Sequence, residues 1–100
     1  MDLEQLKYLT PDQKERYVAL ERTFDSEGWK VIRAWAATQS SLAMERAAFA
    51  SNWEDHRIAT GVRLSFDQIV NLRDATEAEY VSIAEDAMLS DEETDELEHE

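Results

Sequence analysis

Residues 26–72 read SEGWKVIRAWAATQSSLAMERAAFASNWEDHRIATGVRLSFDQIVNL, and this stretch decides the fold. It holds two helix-start signals with no proline between them. Ser26 or the preceding Asp25 can cap a helix running to about Ala50. Ser51-Asn52-Trp53-Glu54 reads as a capping box, Ser51 at the N-cap and Glu54 at the third position, opening a second helix to about Leu72. On the first helix Ile32, Trp35, Gln39, Leu42, Arg46 and Phe49 alternate by three and four, a heptad seam. Gln39 and Arg46 interrupt it, and polar seam positions fix register at some cost in stability. Ala34, Ala36, Ala37, Ala43, Ala47, Ala48 and Ala50 would let another helix come close. On the second helix Ile58, Val62, Ser65, Phe66, Ile69 and Leu72 share one side. Gly61 weakens its middle by roughly 1 kcal/mol relative to Ala, which close packing against the first helix would explain. Two long helices joined by almost no loop predict an antiparallel hairpin over about 26–72.

Working outward, Leu3, Leu6 and Leu9 recur every three residues, as a short helix or an arm docking on the body. Thr10-Pro11-Asp12-Gln13 supplies an N-cap, a proline at the first helical position, an acid near the positive helix end and a capping-box glutamine. That helix is expected to reach about Arg22, with Tyr17, Leu20 and Phe24 on one face and Val18 beside it. Beyond the hairpin, Asp74 or Thr76 could cap a last helix carrying Tyr80, Ile83, Ala84 and Ala87, or the chain could bend within one long helix. From residue 91 to 100 seven residues are acidic and only Leu97 is apolar, the composition of a solvated, disordered end. The expected fold is all-α: a helical hairpin or small bundle as one domain over 1–89, then an acidic disordered end over 90–100.

Composition agrees. Two glycines and one proline in 100 residues are too few for the turns of a sheet protein, and 43% hydrophobic residues is ordinary for a folded chain. With no cysteine, disulfides and thiolate metal sites are excluded. The opening Met1-Asp2-Leu3-Glu4 shows no secretion signal, and no apolar run approaches membrane-spanning length. Charge is divided unevenly. Residues 1–73 carry eleven acids and ten bases; residues 74–100 carry twelve acids and no lysine or arginine, hence −12 of the total −13. Such a segment repels nucleic acid and anionic membranes.

No catalytic pattern emerges. Glu54, Asp55 and His56 are adjacent, and neighbours on a helix point apart, so they do not converge on a metal. The same-face neighbours of His56 (Asn52, Trp53, Ala59, Thr60) complete no ligand set, and an exposed surface position is expected for it; His99 lies in the acidic end. There is no G-x-S-x-G and no glycine-rich phosphate loop. Neither an enzyme nor a cofactor is expected. Arg33, Arg46, Arg57, Arg63 and Arg73 are interleaved with Glu45, Glu54, Asp55 and Asp67, so ion pairs are a better reading of them than a nucleic-acid stripe.

The block Phe24-Asp25-Ser26-Glu27-Gly28-Trp29-Lys30, a long helix, and then Trp53 and Arg57-Ile58-Ala59-Thr60-Gly61 resemble a pattern of small uncharacterised helical proteins of tailed bacteriophages, with an F-x-S-x-G-W-K-like start and a helical hairpin. The likeness covers about residues 24–72. It implies a phage origin, and with it virion assembly or manipulation of a host system. It implies no catalytic residues.

These readings converge on a non-enzymatic phage protein acting by protein–protein binding, a small oligomeric virion structural or assembly accessory. Its partners would be itself and another phage or host protein, with no direct nucleic acid and no membrane, in the host bacterial cytoplasm or incorporated in the virion. Trp29, Ile32, Trp35, Leu42, Phe49 and Trp53 would form core and interface, with Gln39, Arg46 and Arg57 setting register. The alternative is an acidic DNA mimic that inhibits a host nucleic-acid-binding or defence protein, using rigidly placed Asp74, Glu77, Glu79, Glu85 and Asp86.

Overall fold

The computed structural model describes residues 1–98, and the side chains of residues 1–92. The described chain is all-α, with no strand: α1 Leu3–Leu6, α2 Pro11–Phe24, α3 Glu27–Ala48, α4 Trp53–Val70 and α5 Leu72–Glu98. Local chemistry sets most of these boundaries. Asp2 and Gln5 form a capping box on α1. Thr10 and Gln13 do the same for α2, with Gln13 N–H donating to Thr10 Oγ1 at 3.2 Å and Thr10 N–H to Gln13 Oε1 at 2.9 Å. Ser26 caps α3 by accepting from Trp29 N–H at 3.2 Å.

Two boundaries differ from the sequence reading. The N-cap of α4 is Asn52, not Ser51. Asn52 accepts from Asp55 N–H at 2.8 Å and its amide donates to the Asp55 carboxylate at 3.0 Å, so one residue satisfies a helix donor and a side chain together. The Ser51–Glu54 box does not form. At the other end, α4 stops at Val70 and α5 starts at Leu72, without Asp74 or Thr76 as a cap; Asn71 between them donates its N–H to Asp67 O at 3.0 Å. The two are separate helices.

The chain forms two compact units. The first comprises residues 1–22 and 74–100. Leu9, Tyr17 and Ala84 are buried in it, with Met1, Leu6, Tyr8, Tyr80 and Ile83 packed around them. Leu6 and Leu9 thus dock as an arm, while Leu3 stays out. The rings of Tyr17 and Tyr80 meet at 5.3 Å, and the Met1 amine donates to Glu77 at 2.9 Å. Ser90, Asp91 and Glu92 are exposed on α5. The remainder of the expected acidic end falls outside the described side chains, and residues 99 and 100 lie outside the described residues.

The second unit, residues 23–73, is the antiparallel hairpin of α3 and α4. Cross-links between the helices fix its register: Arg33 Nε donates to Val70 O at 3.1 Å, Ser40 Oγ donates to Asp67, and His56 Nδ1–H donates to Ala47 O at 2.8 Å. The seam is not the heptad row of Ile32, Trp35, Leu42 and Phe49. It lies one position round the helix, where Ala36 and Ala43 are buried seven residues apart. On α4 the buried residue is Ala59, not Ile58 or Val62; Leu72 opens α5 and is exposed. Alanines let the two backbones approach closely, and a seam that narrow has no room for Leu, Phe or Trp. Gly61 takes no part in it: a Cβ there would meet nothing within 4 Å, so close packing does not explain this glycine.

Candidate functional site

An alanine seam leaves the large apolar side chains facing outward. Trp35 and Leu42 on α3 and Ile58 on α4 are about half-exposed, Phe49 at the C-cap of α3 is 86% exposed, and Val62 on α4 is 38% exposed. Trp35 meets the half-buried Phe66 edge-on at 5.4 Å and 84°, which ties the α3 and α4 parts of this face together. Near the connection the face dips into a cleft of about 480 Å³, lined by Arg46 and Phe49 from the end of α3 and by Asp55, Ile58 and Val62 from the start of α4. Its floor is Ala43 and Ala59.

The residues singled out in the sequence divide here. Trp29 lies on the core side: it is buried, with its ring 5.0 Å from that of Phe24 in an edge-on contact. Ile32, Trp35, Leu42 and Phe49 are exposed together with Arg46, and Gln39 is half-buried. Trp53 is 74% exposed and stacks on His56 with centroids 5.4 Å apart. His56 is therefore not the exposed surface residue expected of it; it is half-buried, held between that indole and the last turn of α3. Arg57 is exposed. Asp55, Ile58 and Val62 were missing from the sequence reading of the site. For Ile58 and Val62 a signal is present: they are four apart, on one side of the helix.

The arginines are used unequally. Arg63 pairs with Asp67 at 3.5 Å and Arg73 with Asp25 at 3.0 Å. Arg46 and Arg57 make no ion pair among the described residues, although Arg46 shares the cleft with Asp55. On α5 Glu77 is half-buried and holds the Met1 amine, whereas Asp74, Glu79, Glu85 and Asp86 are exposed. At 100° per residue, Asp74 and Glu85 fall on one stripe of α5 and Glu79 and Asp86 on another, about 120° round. The acids do not form one row.

Among the described residues, no group of three or more His, Asp or Glu side chains is arranged to hold a metal ion. No described helix is long and apolar enough to cross a membrane. What the hairpin face offers is apolar area with a charged rim. No protein-family model, curated protein or solved structure matches this chain.

Proposed function

We propose that the chain is a non-enzymatic protein-binding module whose docking surface is the outer face of the α3–α4 hairpin, serving as a small oligomeric structural or assembly accessory of a bacteriophage. One observation carries the binding reading. The hairpin buries alanines and turns Trp35, Leu42, Phe49, Ile58 and Val62 outward, the reverse of the partition that a stand-alone hairpin would favour. Covering about 500 Å² of such surface is worth on the order of 12 kcal/mol before the costs of association, so a partner repays the arrangement. The phage setting is supported by the sequence likeness over about residues 24–72 alone.

A photo-crosslinking residue placed at position 49 tests the reading, with position 82 on α5 as the control. Expected are protein adducts at 49 and none at 82. Adducts at neither position, or equally at both, would overturn it.

One observation favours the acidic-mimic reading as an alternative. Acids on the 27-residue helix α5 are held at fixed spacing, as mimicry of a phosphate array requires. Four of the five candidate residues are exposed, on two stripes; Glu77 is engaged internally. Replacing Asp74, Glu79, Glu85 and Asp86 by their amides should abolish inhibition of a host nucleic-acid enzyme if this reading holds. Unchanged phage growth on defence-proficient hosts would rule it out.

A further inference from the structure

The geometry points to a second copy of this chain as the occupant of the hairpin face, with α3 of each copy lying along α4 of the other about a two-fold axis parallel to the hairpin. This rests on the docking-surface reading above and adds to it the identity and orientation of the partner.

Trp35 meets Phe66, and Ala47 meets His56, so a residue of α3 stands level with the residue of α4 whose number completes a nearly constant sum. A two-fold axis parallel to the helices keeps every residue at its level and exchanges α3 for α4 across the interface. Arg46 then faces the partner's Asp55, and Asp55 faces the partner's Arg46. Leu42 falls between the partner's Ile58 and the partner's Val62, and Trp35 meets the partner's Phe66. The patch is thus its own complement in charge as well as in apolarity. Among the described residues Arg46 has no ion pair, so it enters the contact uncommitted. The other in-plane axis, across the hairpin, would lay α3 on α3 in reverse. That sets α3 against α3 and takes Arg46 away from the partner's Asp55, which lies on α4.

The area is also sufficient. With aromatic side chains offering 150–250 Å² each, the five exposed apolar residues contribute roughly 500 Å² per copy. Two copies bury about 1,000 Å² from these residues alone, the level a specific interface must reach, before Arg46, Asp55 and the rest of the rim are counted.

The test is sedimentation equilibrium of the full chain over about 1–100 μM, with Arg46→Glu, Asp55→Arg and the double exchange. Because Asp55 sits in the first turn of α4, Asp55→Asn accompanies it as a milder change, and circular dichroism verifies that every variant keeps its helices. A dimer is expected. Each single charge reversal should weaken it about tenfold, Asp55→Asn less, and the double exchange should return it to within about threefold of the parent. A chain that stays monomeric throughout would overturn the inference, as would a dimer indifferent to the single changes or a double exchange no better than either single. The crosslink at position 49 separates the two levels. An adduct of twice the 11.6 kDa chain supports the second copy. Adducts of another mass on a monomeric chain overturn the second copy and leave the docking surface standing; no adduct overturns both.

Discussion

Gly61 lies in the middle of α4, its φ is negative, and a methyl group there would enter open space. Neither conformation nor packing demands a glycine. Gly61→Ala should therefore stabilise the chain by about 1 kcal/mol in urea denaturation, through helix propensity and a less flexible unfolded state. A loss of stability would mean that the site is crowded after all. Ser26 is a contrasting residue. Its hydroxyl accepts from Trp29 N–H and donates to Thr23 O at 2.6 Å, linking the end of α2 to the start of α3. Ser26→Ala should cost about 1 kcal/mol, and Ser26→Asp, which keeps the cap acceptor, should recover part of it. Sequence made this cap readable because the chemistry is local: Ser26 and the amide it serves lie three residues apart. It did not separate Trp29 from Trp35. Both stand in the same helix at apolar positions, and Trp29 is inside, its ring against that of Phe24.

At the level of elements, the hairpin was legible and its seam was not. Capping signals at Ser26 and near Ser51, with almost no loop between helices, require α3 and α4 to run antiparallel. Choosing the inward row meant comparing Trp35-Leu42-Phe49 with Ala36-Ala43, and hydrophobicity favours the first. Close approach of the backbones decides for the second, and that gain depends on both helices at once, Ala59 included, so no single-helix pattern displays it. Filling the seam should separate the helices. Ala43→Leu is expected to destabilise by about 1–3 kcal/mol in a urea melt, whereas Phe49→Ser, at a highly exposed position, should change the stability of the dilute chain by less than about 0.5 kcal/mol. Equal effects would show that the exposed row, not the alanine row, holds the hairpin. The boundary between α4 and α5 was similarly out of reach, because Asn71 acts there through its backbone N–H and the stronger-looking caps at Asp74 and Thr76 go unused.

For the whole molecule, a net charge of −13 with twelve acids after residue 73 means that folding gathers like charges, and α5 has no basic residue in its last turn to offset its carbonyl end. Raising ionic strength from about 0.01 M to about 0.3 M cuts the screening length from about 30 Å to under 10 Å. The thermal midpoint followed by circular dichroism should rise by about 4–8 °C, equivalent to about 1 kcal/mol for a chain of this size. A fall would indicate that attractive pairs outweigh the repulsion. Trp29 lies dry beside Phe24, while Trp35 and Trp53 are wetted. Intrinsic fluorescence therefore holds a constant blue component and two red ones that respond to solvent. Anything that covers the hairpin should draw the emission toward shorter wavelength as the chain is concentrated, without a dye. Trp35→Phe would silence the indole that meets Phe66 and show how much of the spectral movement begins there.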